Sequence, residues 1–294
     1  MDAALEVGAS VGGTHLPAPD VALVTVQRRR VSQWLGAVVV VVLFVLTVAS
    51  IAHNKNIEWG VVRTYLSARS VLDGLRLTVE LTVLSMIVAV AFGTVVAVCR
   101  LSPNPVLSWL SWFWTWFFRG VPLIVQLLIW GNFAILFKHI DIGVPFTHLI
   151  AARFGTNVVI TTFVASILGL GLSESAYMAE IMRAGILSVE AAQSDAARSL
   201  GMTTRQLMRL VILPQAMRVI VPPTGNEFIN LLKASSLVSV IAGGELLTAV
   251  ENISSVNYRV VELLIVATFW YLVIVSIASV SQHFLERRLG RSQA

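Results

Sequence analysis

The chain has 294 residues, of which 56% are hydrophobic and 13% charged, and its mean hydropathy is +0.82. A soluble domain carries about 25% charged residues, so a water-soluble globular protein is excluded. The formal charge of +5 does not point to nucleic acid, because the basic residues are spread along the segments between apolar runs, where positive charge orients a chain in a membrane.

Residues 1–33 are polar or weakly apolar, contain Gly12-Gly13 and two prolines, and carry Arg28-Arg29-Arg30 near their end. They read as a flexible cytoplasmic tail. An extra first transmembrane helix is expected over 34–52, close to the roughly 20 residues that a span needs. Ser50-Ile51-Ala52 offers small residues in the pattern of a signal-peptide cleavage site, but the long leader argues for an uncleaved anchor. A second span is expected over 73–99, ending at Arg100 before Pro103 and Pro105 break the chain. Residues 106–118 hold Trp109, Trp112, Trp114 and Trp116, and tryptophan favours the water–lipid boundary. They read as an interfacial helix leading through Arg119-Gly120-Val121-Pro122 into a third span over 123–137. Spans over 158–187, 220–241 and 261–285 complete an all-α membrane protein of about six transmembrane helices. The bias of basic residues towards alternate span ends sets the N- and C-termini and the loop 188–214 on the cytoplasmic side.

Cys99 is the single cysteine, so there is no disulfide framework. His15, His53, His139, His148 and His283 are scattered without the spacing of metal ligands. No metal site is expected.

The loop 188–214 is patterned more strictly than a connection needs. Ser188 is expected to cap a helix start, with Glu190 well placed in the first turn. Ala192, Ala196, Ser199 and Leu200 then share one face of small side chains. Gly201 occupies the place where a left-handed residue ends a helix. Thr203 and Gln206 have the spacing of a capping box for a second helix, with Leu207, Leu210 and Val211 as its apolar stripe and Pro214 as its stop. By itself this pattern fits either a helical hairpin packed under its own bundle or an element that docks another protein.

Glu174, Glu180, Glu227 and Lys233 lie inside apolar spans, with Asn226 and Asn230 nearby. A charged side chain at mid-bilayer costs about 2.5–3.5 kcal/mol on insertion scales, so these groups are expected to face the bundle interior. Asn226, Asn230 and Lys233 fall on one face of the fifth span by i, i+4, i+7 spacing, and Tyr177, Glu180 and Ala184 on one face of the fourth. A polar translocation path through Glu174, Tyr177, Asn226, Glu227, Asn230 and Lys233 is one reading. Interhelical ion pairing is the other, and Glu180 with Arg183 at i, i+3 fits that better.

Asp195-Ala196-Ala197, then Gly201 after three residues, then Val211-Ile212-Leu213-Pro214 after nine more, resembles the cytoplasmic EAA loop of ABC-importer permeases. Glu190-Ala191-Ala192 spells the same letters, but its distances to a glycine and to Leu-Pro are wrong. Phe118-Arg119-Gly120-Val121-Pro122-Leu123, Ala176-Tyr177, Ala179-Glu180-Ile181 with Arg183, Pro214-Gln215-Ala216 and Gly225-Asn226-Glu227-Phe228-Ile229 are similar to successive stretches of polar amino-acid importers. The resemblance runs over a permease core at 71–289 and leaves the tail and first span outside.

The resemblance implies a permease subunit of a type I ABC importer in a bacterial cytoplasmic membrane. It implies two cytoplasmic ATPases docked on the loop through Asp195, Ala196, Ala197, Arg198, Leu200 and Gly201. It also implies a second permease, identical or homologous, and an extracytoplasmic solute-binding protein that delivers the amino acid. The chain has no GxxxxGK[ST] phosphate loop, so ATP–Mg belongs to the partner ATPase; no cofactor and no enzymatic activity are expected of this chain. Two departures bear on the substrate: Ala234-Ser235-Ser236 stands where Asp-Thr-Ser is usual, and Glu174 where small polar residues are usual. A carboxylate there favours an ammonium or guanidinium group. The alternative, an ion-gradient-driven secondary transporter or channel subunit, would be supported by an inverted internal repeat, and none is evident in the sequence.

Overall fold

The computed structural model describes residues 31–143 and 150–290, and most of the expected tail lies outside them. The chain divides into two units, Met1–Lys55 and Asn56–Ala294. The first holds helix α1 (Val31–Ala52), whose stretch Trp34–Ala52 is long and apolar enough to cross a membrane. It is apolar on every side, the pattern of a helix surrounded by lipid rather than packed on one face.

The second unit opens with a short helix α2 (Trp59–Leu66) and the long α3 (Arg69–Arg100). Next come α4 (Pro105–Gly120), α5 (Leu123–Gly131) and α6 (Phe133–Leu136). Strands β1 (His139–Gly143) and β2 (Ile150–Gly155) pair antiparallel and lead into α7 (Thr156–Val159) and α8 (Thr162–Leu187). After α9 (Ala191–Ser199) and α10 (Thr204–Leu207), a π-helical turn at Met208–Ile212 runs into α11 (Leu213–Ala234). A 3-10 turn (Ser235–Ile241), α12 (Leu246–Asn257) and α13 (Val260–Gly290) finish the unit.

Among the described residues three helices, α1, α3 and α13, are long and apolar enough to span a membrane, and two bent pairs qualify if each is counted as one span. The first pair is α4 with α5, bent by 98°, and it replaces the straight third span expected over 123–137. Val121 is extended, as a residue before proline prefers, and Pro122 then starts α5, which ends after nine residues at Asn132. The second pair joins the stretch from Thr204 to Ile241 with α12 at 43°. Helix α8 has 26 residues, enough for a crossing at about 1.5 Å per residue. Its glycines, serines and carboxylates lower its hydropathy; the glycines, the serines and Glu174 are buried, and Glu180 is half-buried.

The centre of the unit is the contact of α3 with α8. An added Cβ at Gly93 would lie 2.7 Å from Met178 Cβ and 2.9 Å from the Ser175 carbonyl oxygen. Absence of a side chain there lets the two backbones approach, as small residues do in membrane bundles. Around this seam Leu81, Met86, Ala89, Leu127, Leu170, Met178, Leu231 and Val238 form one buried cluster. A second cluster, including Val62, Val71, Leu246, Val250 and Leu263, ties α2, α3, α12 and α13 together.

The tryptophan-rich segment is a helix, capped by the Asn104 side chain, which accepts from Val106 N at 2.9 Å, with Pro105 in the first turn. Trp109, Trp112 and Trp116 are exposed, whereas Trp114 turns inward and its Nε1 donates to Ser175 Oγ at 3.0 Å. The β-hairpin was not expected, and it adds a small sheet to the all-α architecture. Arg153 clasps Asp141 across it through two hydrogen bonds of 2.7 and 3.0 Å, which hold the Asp141 carboxyl below its ordinary pKa.

Candidate functional site

Two constellations carry the polar chemistry. The first is the loop between α8 and α11. Ser188 does not cap α9. It closes α8 instead, with its Oγ donating to the Gly185 carbonyl at 2.8 Å, and Glu190 occupies the N-cap of α9 without a side-chain bond. The C-terminus of α9 follows the expected pattern more closely. Gly201 has φ +78°, Gly201 N donates to Arg198 O at 2.9 Å and Met202 N to Ala197 O at 3.2 Å. That pair of bonds is the Schellman motif.

Thr203 then starts α10 with a complete capping box: Thr203 N donates to Gln206 Oε1 at 2.9 Å and Gln206 N to Thr203 Oγ1 at 3.4 Å. Pro214 does not stop this second helix. It lies in α11 directly after the π turn, and the chain stays helical across it.

Helix α9 buries Ala197 and exposes Asp195, Ala196, Arg198 and Leu200, the last at 80%. A contact not foreseen from the sequence links this loop to the bundle. The Gln215 side chain in α11 donates to Gln193 Oε1 in α9 at 2.5 Å and to Val211 O at 3.0 Å.

The second constellation is a cavity of about 570 Å³ bounded by the α4–α5 bend, α8 and α11. Glu174, Tyr177, Glu227 and Asn230 line it, together with Arg119 and Ser173. Asn226 and Lys233 do not line it. On α11 the cavity face is Glu227, Asn230, Leu231 and Ala234, at i, i+3, i+4 and i+7. Asn226 lies one residue, about 100° of helix, away from Glu227, and its Oδ1 accepts from Gln282 Nε2 at 2.9 Å. Lys233 is exposed outside the lining. The face expected from Asn226, Asn230 and Lys233 was therefore set too far round the helix. Glu180 pairs with Arg183 at 2.8 Å, but both residues are in α8, so the pair is intrahelical and not the interhelical pairing expected.

Inside the cavity the charges are separated. The Arg119 guanidinium carbon stands 5.2 Å from the centre of the Tyr177 ring, within cation–π range. Glu174 is 8% exposed, and its Oε1 has no hydrogen-bond partner. Asn230 Nδ2 donates to Glu227 Oε2 at 3.4 Å. A buried carboxylate oxygen without a donor is costly, and Glu174 carries that cost on the wall of this cavity. Arg119 was passed over as a site residue. Its signal was a charge between an aromatic run and Gly-Val-Pro.

Residues 89–291 match the family described as the binding-protein-dependent transport system inner membrane component. The arginine transport system permease protein ArgU of Corynebacterium glutamicum is 40% identical over 90% of this chain and 82% of its own length. The arginine transport system permease protein ArtQ of Bacillus subtilis is 33% identical over 74% of this chain and 92% of its own. Among solved structures, an amino acid ABC transporter crystallised with histidines matches with TM-score 0.63 and 36% identity, over 74% of this chain and 94% of that one. The MetNI methionine ABC transporter, at 18% identity and TM-score 0.56, shares the fold. With a family match over most of its length and a fold shared with solved ABC importers, the chain belongs to the inner-membrane permease components of binding-protein-dependent ABC transport systems.

Proposed function

We propose that this chain forms the pathway of an ATP-driven importer of amino acids with a cationic side chain. The observation that carries the reading is the buried, unpartnered Glu174 Oε1 on a cavity that also holds Glu227 and Arg119. Two carboxylates and one guanidinium complement a molecule with two cationic groups and one carboxylate. The free form of such an amino acid has that charge set. The names of the two arginine permeases agree with it. The usual aspartate of the family is absent at Ala234, which lines the same cavity, so Glu174 supplies the negative charge from the facing helix.

In this reading Asp195, Ala196, Ala197, Arg198, Leu200 and Gly201 present α9 to a cytoplasmic ATPase, which binds ATP–Mg. A second permease, identical or homologous, completes the pathway, and an external solute-binding protein loads it. The termini face the cytoplasm of a bacterial cell. Closure of the ATPases would move α9 and, through Gln193 and Gln215, the helix that lines the cavity.

The test is equilibrium binding of radiolabelled L-arginine and L-glutamine to the purified permease–ATPase complex. L-arginine is expected to bind more tightly, and Glu174→Gln to weaken it by about tenfold, the loss of one charge-assisted hydrogen bond. Equal affinities for the two amino acids, or an unchanged preference in Glu174→Gln, would sink the proposal.

A further inference from the structure

We infer that Gln126 is a positioning residue for substrate recognition: it clamps the bend between α4 and α5 and so holds Arg119 at the cavity wall. The inference rests on the cavity reading above. Gln126 is in α5, is 3% exposed and does not line the cavity. Its Nε2 donates to Phe118 O at 3.0 Å and to Val121 O at 2.9 Å, one on either side of Arg119-Gly120. A reversed amide would set its oxygen against two carbonyl oxygens, so this orientation is fixed by its partners.

The need for such a clamp follows from the local sequence. Carbonyls at the end of a helix lack intrahelical donors, and Pro122 has no N–H to offer. The bend of 98° would therefore leave Phe118 O and Val121 O without donors inside the protein. Gln126 satisfies both with one side chain. Arg119 has a long, flexible side chain, and a mobile backbone beneath it would spread the guanidinium over many positions. With the backbone fixed on both sides, the guanidinium is delivered to the Tyr177 ring, where it can meet a substrate carboxylate.

Two measurements on the permease–ATPase complex test this. Affinity for L-arginine is compared with affinity for agmatine, the same molecule without the carboxylate. Gln126→Glu keeps the size but leaves at most one O–H donor for the two carbonyls, and it is expected to weaken L-arginine about tenfold while leaving agmatine within about twofold. In an Arg119→Ala background, Gln126→Glu should add no further loss, because both act through one contact. Equal weakening of both ligands, or additive losses, would mean a general packing role and overturn the inference.

The second measurement does not depend on any substrate. At the bend Val121 N donates to Phe117 O at 3.0 Å. Gln126→Glu should speed hydrogen exchange of the Val121 amide about tenfold by letting the bend open. Unchanged exchange removes the clamp. If Arg119→Ala itself leaves L-arginine affinity intact while exchange accelerates, the clamp stands as a backbone device but its role in recognition falls, together with the assignment of Arg119.

Discussion

Gln193 and Gln215, 22 residues apart, meet through a side-chain hydrogen bond of 2.5 Å that ties the short α9 to the helix lining the cavity. Helix α9 buries Ala197 but leaves most of its surface exposed, and Leu200 at its end is 80% exposed. A push on α9 has a direct polar route into α11 at this bond. Gln193→Leu and Gln215→Leu are each expected to lower substrate-stimulated ATP hydrolysis about fivefold, the worth of roughly 1 kcal/mol for a hydrogen bond. The double variant should lose no more than either single one. Additive losses, measured as ATPase rates in proteoliposomes, would show that the two residues act separately.

Two glycines, one at the α3–α8 seam and one outside it, predict different effects on stability. Gly93→Ala forces a Cβ to within 2.7 Å of Met178 Cβ and is expected to destabilise by about 1–3 kcal/mol, as overpacking does. Gly60→Ala on α2 meets nothing within 4 Å and should be neutral or slightly stabilising, because alanine is the better helix former. Thermal unfolding in detergent separates the two. A melting temperature for Gly93→Ala equal to that of the native chain would contradict the close approach.

Local features of the chain were readable in the sequence because their causes are local. The capping box at Thr203 and Gln206 needs only a three-residue spacing, and the helix stop at Gly201 needs only one backbone conformation. Pro214 was misread for a related reason. Proline usually stops or kinks a helix, and here the chain stays helical across it directly after a π turn.

The cavity was only partly legible. Glu174, Tyr177, Glu227 and Asn230 were expected from the cost of burying polar groups, but which face of α11 turns inward depends on how three segments pack. An error of about 100° about the axis, one residue, was enough to include Asn226 and Lys233. Arg119 and Gln126 were missed because their roles exist only once the chain bends by 98° at Pro122. Val121-Pro122 marks a break in the sequence, but the angle of the bend is not set by any spacing.

The hairpin pair gives a pH dependence whose sign is fixed. The Asp141 carboxyl is held below its ordinary value of 3.8 chiefly by the hydrogen bond from Arg153, which outweighs the opposing desolvation, with the Arg153 charge adding to it. A carboxyl with a depressed folded value adds stability above its unfolded value and loses it as pH falls through the folded one. The clasp is therefore intact at neutral pH and fails only below about pH 4. Both partners are exposed, so the effect on global stability is small. Hydrogen exchange at Ile140 and Phe154 should accelerate in Asp141→Asn at pH 7 to the rate of the native chain at low pH, after correction for intrinsic exchange. Protection that is the same in both chains would show that the strands hold without the clasp.

Gly201 gives the sharpest test of the loop. Its φ of +78° is reached easily only by glycine, and a Cβ there would meet nothing within 4 Å. Conformation rather than crowding therefore decides the outcome. A left-handed backbone costs an ordinary residue about 1–2 kcal/mol, least for asparagine and most for β-branched side chains. Gly201→Asn should keep much of the transport, Gly201→Ala less and Gly201→Val little, in that order. Membrane insertion and L-arginine binding should be the same in all three, because the cavity is built from other residues. Amounts of ATPase co-purifying with each variant measure docking directly. The graded order excludes a purely steric effect, which would rank the compact alanine above asparagine. If Gly201→Val retains both the ATPase and full transport, α9 does not need its Schellman stop, and the coupling role assigned to this loop is lost.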